Sequence, residues 1–173
     1  MWRTYLTYVR IVILFLSCSF VFDIANAQDR NSDDANTLIN EALKAAESRH
    51  YDQAADLLER AVALQPSNAE TRFSLGLMLQ SEKRFVDSIG PFRQAIRLNP
   101  NMAVAYHSLG VSYNNCKQYE DAIASLKHAL ELVPNRAESF TSLAYSYLLT
   151  AQYQEAIAAS NEAIRLKPDT SDN

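Results

Sequence analysis

Pro66, Pro100, Pro134 and Pro168 recur at one constant interval of thirty-four positions. A constant period of that length implies a stack of similar units, none of which buries its apolar face alone. The rest of the chain keeps the same register. Counting back from the prolines, the units begin at Ala35, Ala69, Ala103 and Ala137. Tyr51, Phe85, Tyr119 and Tyr153 fill one column, and Ala54, Ser88, Ala122 and Ala156 a second. Ala61, Ala95, Ala129 and Ala163 make a third, and Leu64, Leu98, Leu132 and Leu166 a fourth. Tyr106, Leu109, Gly110 and Tyr113 fall at i, i+3, i+4 and i+7, which builds one apolar stripe on a helix. Three glycines and five prolines in 173 residues are too few for a turn-rich β fold, so the chain is expected to be all-α.

These columns resemble the tetratricopeptide repeat, in which a leucine and a small residue mark the first helix and alanine, a large apolar residue, alanine and proline mark the second. Leu75-Gly76, Leu109-Gly110 and Leu143-Ala144 carry the first element, and Ala122, Leu126, Ala129 and Pro134 the second. The resemblance spans residues 35–168. It implies a right-handed α-solenoid of four helix-turn-helix repeats, eight helices in all, with repeats at 35–68, 69–102, 103–136 and 137–170. A short polar segment, 28–34, precedes them and a tail, 171–173, follows. Gly76, Gly110 and Ala144 are expected to let the second helix of each repeat approach closely. The prolines end the second helices, and Asn68, Asn101 and Asn135 beside them are candidate turn or cap residues.

Some positions depart from the pattern. The turn inside each repeat usually carries glycine but here holds Arg49, Lys83, Lys117 and Ala151. Three of these are cations, which suit a helix C-terminus. Gly90-Pro91 falls inside a second helix, where a kink or a late helix start is expected. Repeat one has Glu41, Ala42 and Ala45 where leucine, glycine and tyrosine would sit, as terminal repeats often do. Five residues follow Pro168, too few for a polar capping helix, so a dimer contact or a partner is expected to cover the last helix.

Residues 1–27 read as a secretory signal peptide. Arg3 and Arg10 precede an apolar run from Ile11 to Phe22, and Ala25-Asn26-Ala27 supplies small residues for cleavage before Gln28. The run is short beside the roughly 20 residues needed to span a bilayer. Two other readings compete: a retained membrane anchor, and a lipoprotein cleaved at Leu16-Ser17-Cys18. Cleavage before Gln28 leaves Cys116 as the only cysteine, so the mature chain has no internal disulfide. It also takes the charge from -4 to -5, and the expected location is exported, in the periplasm.

A mildly acidic chain lacks the basic surface that phosphate neutralisation requires, which excludes nucleic acid as a partner class. The resemblance implies another protein as partner, an extended or helical segment lying in a groove lined by the first helices. A homodimer is a further partner class, and a membrane enters only through a retained or lipidated N-terminus. Shifting the core stripe by one residue gives the groove candidates Ile39, Leu43 and Ala46; Phe73, Leu77 and Gln80; His107, Val111 and Asn114; and Thr141, Tyr145 and Leu148. Eight of the twelve are apolar and none is basic, which points to an apolar or amphipathic segment rather than a C-terminal carboxylate. Asp52, Gln53, Asp56, Glu59, Arg60, Glu120, Asp121, Lys127 and His128 on the second helices read as a solvated outer face.

Nothing in the sequence nominates catalysis, a cofactor or a metal. His50, His107 and His128 have no neighbouring ligand motif, and His107, facing the groove, suits a polar contact better than proton transfer. Cys116 beside Lys117 has no histidine partner and reads as a turn residue, although the cation could lower its pKa. The sequence therefore predicts an adaptor or assembly scaffold of the cell envelope. The alternative is a membrane-tethered oligomerisation module.

Overall fold

The computed structural model describes residues 32–167. The readings of residues 1–27, of Pro168 and of the tail lie outside them. Among the described residues there are eight helices and no strand. They are α1 (32–47), α2 (Tyr51–Leu64), α3 (Ala69–Ser81), α4 (Phe85–Leu98), α5 (Ala103–Asn115), α6 (Tyr119–Leu132), α7 (Ala137–Leu149) and α8 (Tyr153–Leu166). The observed starts of α3, α5 and α7 coincide with the repeat starts read from the proline period. Helix α1 already includes residues 32–34, so the polar segment before the first repeat is in part helical.

From α2 onward each helix packs on the next, and the first helices α3, α5 and α7 also touch in succession. This is an α-solenoid, in which contacts are local and the core is a chain of small clusters. One cluster joins repeats one and two around Leu38, Leu58, Ala61, Leu75 and Leu79. A second, around Ala95, Met102 and Ala105, joins repeats two and three. The third joins three and four around Ala122, Leu126 and Leu143.

Small residues let the paired helices close up. A Cβ on Gly76 would sit 2.5 Å from the ring of Phe92, and one on Gly110 would sit 2.6 Å from Cγ of Leu126. Phe92 and Leu126 are fully buried as a result. The alanine and serine columns at 54, 88, 122 and 156 are buried in all four repeats.

Each turn inside a repeat is closed by two backbone hydrogen bonds. After α1, Arg49 N–H donates to Ala46 C=O at 2.9 Å and His50 N–H to Ala45 C=O at 2.9 Å. The same pair recurs after α3, α5 and α7. This helix ending needs one residue in the left-handed region. Arg49, Lys83, Lys117 and Ala151 occupy it, with φ of 61°, 61°, 61° and 58°.

Two alternatives left open by the sequence are narrowed. Helix α4 does not start late at Gly90-Pro91: it runs from Phe85 to Leu98 with Pro91 inside it. The tertiary contacts on both flanks outweigh the one backbone hydrogen bond that proline cannot donate. Of the three asparagines, only Asn68 caps a helix, its side chain accepting from Thr71 N–H at 3.1 Å. Met102 and Arg136 stand at the N-caps of α5 and α7 without a side-chain cap bond. Asn101 and Asn135 fall one residue before those N-caps, in the turns, the other role the sequence offered.

Candidate functional site

The twelve groove candidates form three rows along the first helices. In the row of Ile39, Phe73, His107 and Thr141 the first three residues serve repeat packing. Ile39 packs on the first core cluster, and the ring of Phe73 lies 5.8 Å from that of Phe92. His107 Nδ1 is 2.9 Å from Ser139 Oγ on α7. Burial, and then the nearby charge of Arg136, push the His107 pKa down to about 4 against a smaller opposing pull from Glu138. The imidazole is therefore neutral at physiological pH and acts as a link between repeats.

The row of Ala46, Gln80, Asn114 and Leu148 behaves alike. Gln80 Nε2 donates to Ser108 C=O at 3.1 Å and to Ser112 Oγ at 3.0 Å. One repeat later, Asn114 Nδ2 donates to Ser142 C=O at 3.1 Å, and Ser146 Oγ donates to Asn114 Oδ1 at 2.7 Å. Ser142 and Ser146 stand one full repeat after Ser108 and Ser112, so one bonding scheme closes two successive interfaces. Ala46 packs on the first core cluster. Thr141 and Leu148, in the last repeat, are exposed.

Leu43, Leu77, Val111 and Tyr145 form the middle row, one residue per repeat, and it stays accessible. Leu43 and Tyr145 are 53% and 50% exposed, and Leu77 and Val111 are half-buried. None of the four is a buried member of a core cluster. Around Val111 and Tyr145 the surface sinks into a groove of about 470 Å³, with Asn115, Lys117, Tyr119 and Thr141 along its walls. Tyr119 holds the Tyr145 ring edge-on, the centroids 6.4 Å apart. An aromatic fixed this way offers contact area at little entropic cost.

The polar residues named on the second helices are all exposed. His128 Nδ1 sits 2.8 Å from Glu131 Oε2 on that outer surface. Cys116 follows α5 at its C-cap, and burial pushes its thiol pKa up, so the neighbouring lysine does not activate it. Among the described residues no group of three His, Cys, Asp or Glu side chains converges to hold a metal. No described helix is long and apolar enough to cross a membrane.

The polar bridges of Gln80 and Asn114 were not legible in the sequence. Their signal is the serine recurrence at 108 and 142 and at 112 and 146, which the apolar columns overshadow. For His107 a polar contact was expected, but not its partner Ser139. Ser88 Oγ lies 2.7 Å from Ser112 Oγ and extends the buried polar chain.

Solved structures of MamA share this architecture. One designated MSR-1 is 26% identical, with 77% of this chain and 76% of that one covered and a TM-score of 0.71. One designated AMB-1 is 25% identical, covering 80% and 75%, with a TM-score of 0.72. MamA residues 41 to the end from Desulfovibrio magneticus RS-1 are 19% identical, covering 83% and 80%, with a TM-score of 0.75, a likeness of fold alone. No curated protein matches the chain. Two sequence models described as tetratricopeptide repeat match residues 39–103 and 101–169, which together span the described solenoid from α1 through α8. The chain belongs to the tetratricopeptide repeat family.

Proposed function

We propose that this protein is an exported adaptor or assembly scaffold of the cell envelope, binding an apolar or amphipathic segment of a partner protein along Leu43, Leu77, Val111 and Tyr145. The family and its fold make it a protein-interaction scaffold. One observation carries the finer reading: in the first three repeats the flanking rows pack on a core cluster or bond across repeats, whereas no residue of the middle row is a buried member of a core cluster and Leu43 and Tyr145 are exposed. An uninterrupted apolar row on a first-helix face matches the way amphipathic helices lie in hydrophobic grooves. Export rests on the residues before Gln28, as argued from the sequence.

Two measurements test this reading. A photo-crosslinker at position 77 or 111 should trap one partner, and the same group at position 56 or 127 on the outer face should not. Trapping from the outer positions alone would sink the groove. The intact mass of the protein from its native source should correspond to a chain beginning at Gln28. A retained or lipidated N-terminus would instead favour a tethered module.

A further inference from the structure

The last repeat exposes what the others cover. Ile157 is 56% exposed, whereas Ala55, Ile89 and Ile123 in the same column are buried or half-buried. Ile164 is 64% exposed against half-buried Val62, Ile96 and Leu130. A second departure deepens this face. Leu58, Phe92 and Leu126 fill their own repeats beside Ala42, Gly76 and Gly110, but the fourth residue of that column is Ser160, beside Ala144. Two small residues leave a groove of about 760 Å³ between α7 and α8, and none of its lining side chains is charged.

We propose that this face is the contact surface of a two-fold dimer, in which α8 packs antiparallel on α8 of a second copy. The exposed stripe of α8 runs Tyr153, Ile157, Ser160 and Ile164, with steps of four, three and four residues. Such spacing reads the same in both directions. A two-fold pairing therefore sets Ile157 into the hollow at Ser160 of the second copy and Tyr153 against its Ile164, large onto small. The charges of α8 lie off this stripe, with Arg165 Nη2 on Glu162 at 2.8 Å.

Head-to-tail stacking is disfavoured. The face of α1 that would meet it carries exposed Asp34, Thr37, Glu41 and Lys44, where α5 presents buried Met102, Ala105, Leu109 and Ser112. Docking α1 on an uncharged groove would strip water from those charges without partners. Area also suffices for the two-fold pair. Leu148, Tyr153, Ile157, Ser160, Asn161 and Ile164 line this face and leave on the order of 80–100 Å² each uncovered, so a symmetric contact buries about 1,000 Å² without the middle-row Tyr145, the lower bound of specific interfaces.

Sedimentation equilibrium of the purified chain tests this, alongside Ile157→Glu and Ser160→Leu, with circular dichroism as the folding control. The wild type is expected to show a dimer dissociating in the micromolar range, and Ile157→Glu a monomer of unchanged helicity. Ser160→Leu should fill its own groove, as Leu58 does beside Ala42, giving a monomer more resistant to urea than Ile157→Glu. A monomeric wild type at about 100 µM overturns the proposal, even if it then forms a stoichiometric complex with another protein. So does any assembly that both variants leave intact.

Discussion

The Phe92 ring occupies the space that a Cβ on Gly76 would need, its Cε1 lying 2.5 Å from that point. The contact joins the first and second helices of repeat two, and Gly110 with Leu126 repeats it one unit later. Close helix approach and a filled core are therefore one fact in this fold: the glycine admits the side chain that excludes water.

Different outcomes follow for the same substitution at two glycines. Gly76→Ala overpacks against a fully buried ring, and is expected to cost about 2 kcal/mol even after the gain in helix propensity. Gly90, on the exposed side of α4, meets nothing within 4 Å of where a Cβ would stand apart from its chain neighbours. The following Pro91 disfavours a helical backbone for a residue with a Cβ, which offsets the gain in helix propensity, so Gly90→Ala should leave stability within about 0.5 kcal/mol. Urea unfolding of both variants checks the difference.

The four left-handed turn residues give a second prediction. Ala151 holds φ of 58° with a Cβ and no compensating charge. Ala151→Gly relieves this conformation and should raise stability by about 1 kcal/mol, the left-handed cost outweighing the added chain entropy. Lys83→Gly should show the same sign, with a smaller gain because it removes a cation from a helix C-terminus. Thermal melts of the two single variants decide it.

A third prediction concerns pH. His107 has a native pKa of about 4, below its ordinary value of 6.5. Between those values the unfolded chain binds more protons than the native one, so stability rises with pH across the window. The contribution is fully present above pH 6.5 and is lost as pH falls toward 4. Discounted for partial exposure, it amounts to roughly 2 kcal/mol. His107→Gln should flatten this part of the stability profile while leaving a group able to meet Ser139. An unchanged slope between pH 6.5 and 4 would show that the imidazole is not buried as neutral.

The starts of α3, α5 and α7 were legible because period and column identity survive in side-chain size: proline, alanine and glycine each answer a steric demand that recurs once per repeat. Of the three candidate rows, the middle one, Leu43, Leu77, Val111 and Tyr145, has no buried member of a core cluster, whereas Gln80 and Asn114 look like groove polar residues until the serines facing them are seen. Sequence spacing fixes the face of a helix but not which neighbour lies across from it. The late start offered for Pro91 fails for a related reason, since α4, packed between α3 and α5, is helical from Phe85 onward.

Asn114 and Leu43 separate structure from binding along the groove. Asn114 is 7% exposed, and its amide satisfies Ser142 C=O and Ser146 Oγ. Asn114→Leu removes both bonds between α5 and α7 while Ser146 Oγ keeps its 3.0 Å bond to Ser142 C=O, so a loss of about 1–2 kcal/mol is expected. Leu43, by contrast, is 53% exposed and belongs to no buried cluster. Leu43→Ser should leave stability within about 0.5 kcal/mol of the wild type. If the middle row binds a partner segment, Leu43→Ser lowers the yield of crosslinks from position 77 without lowering the urea midpoint. Asn114→Leu lowers that midpoint first. A Leu43→Ser protein that unfolds earlier would place this side chain in repeat packing instead of in the groove.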